Sequence, residues 1–226
     1  MKSATRVGIL GGTFDPVHLG HIDTARAAAA ALALDRVLVL PSGTPPHRQP
    51  PAASRYHRFA MTALAVTGVD RLRVSDLEIG EEAPSYSFDT LARLHACGLP
   101  PLQIFFITGA DAFAEIATWS RYPQVLDMAH FVVVSRPGCR SSDLRQLLPA
   151  LANRMAAAHQ VGGDEGEPRI FLVDAATPDV SSTGIRRRLA AGESIAGLVP
   201  AAVDVYINQH GLYARGDASL SGRSLA

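Results

Sequence analysis

Short apolar runs, several rich in β-branched residues, alternate along the chain with longer stretches spaced like helices. Residues 7–10, 36–40, 72–75, 103–108, 131–134 and 170–173 read as strands, brief and apolar as buried strands are. Helices are expected over the alanine-rich segment 22–34, over 54–66 with Ser54 as N-cap, and from 85–91 onward. Further helices are expected over 112–119, 143–159, after Val180-Ser181-Ser182-Thr183, and over 200–209. Strands and helices that alternate at such intervals predict an α/β fold, a doubly wound parallel sheet in a single domain. Right-handed crossovers would then bring the strand ends Leu10, Leu40, Ile107 and Val134 to one rim. The expected domain covers residues 1–213, and the Gly/Ser-rich stretch 214–226 reads as a disordered tail.

Composition narrows the partners. The chain of 226 residues is long enough for a full core and carries 21 basic and 21 acidic side chains. A balanced charge gives no field to draw nucleic acid or a membrane surface, so any anion site must be local. The two cysteines, Cys97 and Cys139, are far apart and form no C-x-x-C, which reads as structural thiols in a reducing cytosol. No uncharged apolar run is long enough to span a bilayer. The expectation is a soluble, cytoplasmic protein, a monomer or a small homo-oligomer.

The densest candidate chemistry is Gly11-Gly12-Thr13-Phe14-Asp15-Pro16-Val17-His18-Leu19-Gly20-His21. A strand, a glycine-rich turn and a helix start in that order make a phosphate site, because free N–H groups and the positive dipole end face the turn. His18 and His21, three apart, can reach the same side of a first helical turn. Two histidines can also be half of a zinc site, but neither cysteine is close in sequence. No G-x-G-x-x-G follows the strand and no P-loop occurs. Near the other end, Ser181-Ser182-Thr183 before a helix with Arg186 one turn in reads either as ordinary capping or as an anion clamp. Two anion sites in one chain favour a triphosphate ligand.

Residues 11–21 resemble the G-[ST]-F-D-P-x-H-x-G-H signature of the nucleotidyltransferase superfamily, and residues 180–186 resemble I-S-S-T-x-I-R. Together the two stretches are most similar to the bacterial nicotinate-nucleotide adenylyltransferases. The resemblance implies a Rossmann-like nucleotidyltransferase fold and adenylyl transfer from ATP to nicotinate mononucleotide, giving deamido-NAD and pyrophosphate. It implies Thr13, His18 and His21 around the α- and β-phosphates, with Gly11, Gly12, Phe14 and Gly20 lining the ATP site. Ser182, Thr183 and Arg186 fall on the outer phosphates, bridged by Mg²⁺; no carboxylate cage for that ion is visible.

Other segments carry shorter matches. Pro45-Pro46-His47-Arg48 resembles P-P-H-K, with Arg48 where lysine is common, and stands either against the nucleotide or as a solvated loop. Ser85-Tyr86-Ser87 resembles S-Y-T and implies that Ser87 meets the pyridine carboxylate; Ser85 or Ser87 as a helix cap is the competing reading. Gly109 and Asp111 resemble G-x-D beside ATP, and Arg136-Pro137-Gly138 resembles an R-P-G turn facing ATP or solvent. Trp119 and Tyr122 match W-x-x-[WY], which implies a stacking face for the acceptor base, although a lone tryptophan is commonly core. Another superfamily transferase, such as a phosphopantetheine adenylyltransferase, and a catalytically inactive nucleotide-binding regulator are the rival readings.

Overall fold

A computed structural model describes residues 5–46, 49–160 and 166–214. Among these residues seven strands form one sheet: β1 (Val7–Gly12), β2 (Arg36–Pro41), β3 (Leu72–Val74), β4 (Ile104–Gly109), β5 (His130–Val134), β6 (Met155–Ala157) and β7 (Ile170–Val173). Every pairing is parallel and the spatial order is β3-β2-β1-β4-β5-β7-β6. The helices are α1 (Leu19–Ala31), α2 (Arg55–Val66), α3 (Ser87–Ala96), α4 (Ala110–Ala114), α5 (Leu144–Leu147), α6 (Ser182–Ala190) and α7 (Ala201–Gln209). From β1 the chain runs outward through β2 to β3, then returns to β4 on the other side of β1. The gap beyond the carboxyl ends of β1 and β4 is thus the switch point where open α/β sheets bind ligands.

Successive strand residues point to opposite faces, and two cores result. Leu10, Val37, Val39, Phe105, Ile107 and Val132 belong to one, with α1, α2 and α7 against them. Ile9, Leu40, Ile104, Phe106, Phe131 and Val133 belong to the other. Because both faces are covered, the strands are apolar throughout rather than alternating, which is why they were legible as short apolar runs.

Four expectations change. The segment 112–119 is not one helix: α4 stops at Ala114, a single tight turn covers Ile116–Thr118, and Trp119 is extended. There the Trp119 ring is drawn edge-on to Phe106 and Phe131, at 6.0 and 6.2 Å between centroids, and packing overrides the helical spacing. The segment 143–159 breaks after α5. Pro149 opens a turn that spans Pro149–Arg154, and the chain then becomes β6, an edge strand on β7; proline's missing N–H cannot continue the helix. α1 ends at Ala31, three residues early, because Ala33 turns to a φ of +49° and sends Leu34 into the core. Neither Ser85 nor Ser87 caps α3, whose N-cap is Tyr86; Ser85 Oγ instead accepts the Gly43 N–H at 3.1 Å. Ser54 does cap α2, accepting from the His57 N–H. His47, Arg48 and the expected tail beyond Ala214 lie outside the described residues.

Candidate active site

The loop from β1 into α1 builds the phosphate side. Gly11 is exposed at the strand end, Gly12 pairs with Pro41 and accepts the Ser42 N–H, and Phe14 turns the chain with a φ of +50°. His18 is the N-cap of α1, and its backbone N–H donates to His21 Nδ1 at 3.2 Å. That acceptor role puts the His21 proton on Nε2. The two rings stack at 3.6 Å between centroids, with the Phe14 ring edge-on to His21. His18 is 1% exposed, and burial, helped by the Arg136 charge, pulls its pKa down to about 3. It is therefore a neutral imidazole at ordinary pH. Its Nδ1 has no hydrogen-bond partner among the described residues.

A second helix start packs onto the first. Ser181 caps α6 through the Gly184 N–H. Ser182 Oγ donates to the Pro16 carbonyl at 2.8 Å, and Arg186 donates to the Asp15 carbonyl at 2.7 Å and to Thr183 Oγ1 at 3.2 Å. The Leu19 N–H donates to the Leu198 carbonyl. Gly20 lets this seam close tightly, since a Cβ there would lie 3.1 Å from the His18 ring and 3.2 Å from Val180. Two helix N-termini, both favourable to anions, thus meet beside the histidine pair. The Ser182 hydroxyl proton, expected at the phosphates, is used inside the protein to hold the loop.

Two residues that sequence reasoning missed fix this seam. Asp15, 4% exposed, accepts the Ala52 and Ala53 N–H groups at 2.8 and 3.0 Å and the Tyr213 hydroxyl at 2.7 Å. Arg186 is 3.8 Å from the same carboxylate. Arg58, 1% exposed, donates to the carbonyls of Thr13, Gly43 and Ala53. Its pKa is lowered, first by burial, with the nearby Asp15 opposing. The available signal was a charge on the apolar face of α2, in register with Met61, Thr62 and Ala65.

The second half of the site lies at the ends of β2, β4 and β5. Ser85 is tied to the loop after β2, its hydroxyl accepting the Gly43 N–H and its own N–H donating to the Thr44 carbonyl, and Ser87 follows as the first residue of α3. Thr90, one turn on, donates to the buried Glu78 carboxylate at 2.6 Å. The Arg121 guanidinium lies over Phe88 at 4.8 Å, so the stretch from Trp119 to Tyr122 is brought to the start of α3 and Ser87. The Tyr122 N–H donates back to the Trp119 carbonyl. Gly109, Asp111 and Arg136 converge: a Cβ on Gly109 would be 2.5 Å from the Asp111 carboxylate and 3.0 Å from Arg136 Cγ. Asp111 does not cap α4, whose N-cap is Gly109. Arg136 sits in a closed turn, exchanging backbone hydrogen bonds with Cys139, and its charge reaches His18. Ser135 and Ser141 brace that turn, both donating to Asp174.

Known proteins resemble this chain over most of its length. A family model described as cytidylyltransferase-like matches residues 9–188. A protein of Pseudomonas syringae pv. tomato named as a probable nicotinate-nucleotide adenylyltransferase is 42% identical, over 92% of this chain and 93% of its own length. A protein of the same name from Pseudomonas aeruginosa is 43% identical, over 92% and 97%. The Plasmodium falciparum nicotinic acid mononucleotide adenylyltransferase solved with NaAD superposes with a TM-score of 0.70 at 16% identity, covering 93% of this chain and 98% of that one. At that identity the likeness speaks for the fold. With the phosphate seam and the coverage of the relatives both in hand, the chain belongs to the cytidylyltransferase-like family and, within it, to the nicotinate-nucleotide adenylyltransferases.

Proposed function

We propose that this protein transfers the adenylyl group of MgATP to nicotinate mononucleotide in the cytoplasm, as a step of NAD biosynthesis. A phosphate oxygen of the mononucleotide bonds to the α-phosphorus, the bond from that phosphorus to the bridging oxygen breaks, and pyrophosphate leaves with the electron pair. The attacking oxygen is already anionic, so no side chain has to take its proton. Positioning and charge stabilisation carry the rate. The observation that carries this reading is the seam of two helix N-termini with His18, His21 and Arg186 around it.

In this reading His18 and His21 donate from neutral rings to the oxygens on the α- and β-phosphorus, where charge builds in the transition state. Thr13 and the backbone of Gly11, Gly12, Phe14 and Gly20 line the same phosphates. Arg186 and Thr183 meet the outer phosphates, Ser182 holding the loop behind them. Gly109, Asp111 and Arg136 border the nucleotide. Imidazoles, hydroxyls and arginines predominate here, with Asp111 beside the nucleotide, a set suited to phosphate more than to a hard cation; Mg²⁺ accordingly enters with the ATP phosphates. Ser87, Trp119 and Tyr122 hold the pyridine carboxylate and base.

The test is pyrophosphate release from MgATP against nicotinate mononucleotide, nicotinamide mononucleotide and phosphopantetheine. Turnover should be fastest with the first, since donors built for a carboxylate are left unpaired by an amide. Release with phosphopantetheine alone, or ATP binding with no release from any acceptor, overturns the reading.

A further inference from the structure

The residue just past α7 reaches the loop just past β1. Tyr213, with a φ of +67°, sends its hydroxyl to Asp15 Oδ1 at 2.7 Å, across 198 positions of sequence. Asp15 Oδ1 also accepts from the Ala53 N–H and Oδ2 from the Ala52 N–H. Beside it Arg186 donates to the Asp15 backbone carbonyl, while its guanidinium is 3.8 Å from the carboxylate. A carboxylate offers about four lone-pair sites, and three are taken by neutral donors. Burial, then the hydrogen bond to Asp15, holds the phenol well above its ordinary pKa, so it stays a donor throughout the working range.

This arrangement settles a competition. An aspartate and an arginine this close would ordinarily close into a two-pronged pair, and an arginine so paired is lost to an incoming phosphate. We propose that Tyr213 is a positioning residue for adenylyl transfer: its hydroxyl keeps the Asp15 carboxylate on the Ala52 and Ala53 amides, and so leaves Arg186 for the nucleotide phosphates. Without the hydroxyl the carboxylate turns to Arg186, weakening ATP binding and loosening the entry to α2.

Tyr213→Phe keeps the ring and removes only the donor. Amide exchange at Ala52 and Ala53 should then rise several-fold, with β1 amides such as Ile9 unchanged. The KM for ATP should rise about threefold to tenfold, while that for nicotinate mononucleotide stays within about twofold, the net worth of one typical hydrogen bond setting that scale. In an Asp15→Asn background there is no charge to release, so adding Tyr213→Phe should leave the ATP KM unchanged; a packing role would give the same change in both backgrounds. The kinetic arm rests on the activity proposed above and the exchange arm does not. If the wild type turns over no acceptor, that reading fails and calorimetric ATP affinity replaces KM here. An ATP affinity unchanged in Tyr213→Phe, with or without faster exchange, overturns the proposal, and so does an equal effect in the two backgrounds.

Discussion

The two halves of the site are held in different ways. The phosphate half is a seam between α1 and α6, closed by hydrogen bonds from Ser182 and Arg186 to the loop at Asp15 and Pro16. His18 and Asp15 are nearly out of solvent, while Thr13, His21 and Arg186 are half-buried and Thr183 is exposed. The acceptor half is assembled from the segments leaving β3 and β4, and its contacts are ring against ring or cation against ring, as at Trp119, Phe88 and Arg121. A preorganised phosphate site stabilises charge without reorganising as the reaction proceeds. Ring stacking tolerates small shifts and tunes affinity. Damage at the histidine pair should therefore fall on kcat, damage at Arg186 on the KM for ATP, and damage to the second half on the acceptor's kcat/KM.

The largest effect should come from the histidine pair. His18→Ala or His21→Ala should raise the barrier by ~2.7–4 kcal/mol, the usual cost of one donor to developing charge, with ATP binding much less affected. Steady-state kinetics showing kcat near wild type in both variants would remove the histidines from the proposed role. Next is Arg58, bonded to both halves, through Thr13 on one side and Gly43 on the other. Arg58→Met keeps apolar volume but orphans three carbonyls, which should cost roughly 2–3 kcal/mol of stability. Denaturant unfolding at the wild-type midpoint would show that water or a rearranged loop replaces it. Trp119→Ala should cost roughly 1–3 kcal/mol in kcat/KM for the acceptor, the scale of a base stacked on an aromatic ring, with the ATP KM almost unmoved. If ATP handling suffers instead, the two halves are not separable as drawn.

The same contrast explains what the sequence disclosed. The phosphate half lies in two contiguous stretches, so strand, turn, cap and histidine spacing could all be read directly. Asp15 and Arg186 were visible as residues, but their contact joins positions 171 apart and local pattern carries no record of it. Tyr213 was invisible for the same reason. Arg58 left a trace, as a charge among apolar helical positions, that could have been read as a buried donor. In the acceptor half, Trp119 was placed in a helix because its spacing fits one; only the ring contacts with Phe106 and Phe131 reveal the extended backbone. The edge strand β6 failed likewise: Met155-Ala156-Ala157 has no strong strand preference of its own, and pairing with β7 decides its form.

The smallest expected effect is a pH dependence. His18 is held to about 3 and His130, buried where β5 begins with its Nδ1 accepting the Arg169 N–H, to about 4, burial being the main cause in both. In the unfolded chain each would titrate near 6.5. Below that value the unfolded state binds protons that the folded state refuses, so stability falls as the pH drops. From pH 6.5 to 5.5 each ring should cost ~1 kcal/mol, and the loss should level off only near the folded values. Urea unfolding at the two pH values, for the wild type, His18→Asn and His130→Asn, separates the contributions. Each variant should lose about 1 kcal/mol less than the wild type over that step. If His18→Asn is as acid-sensitive as the wild type, His18 is not held neutral in the folded protein, and the neutral-donor role assigned to it in the phosphate half falls with that result.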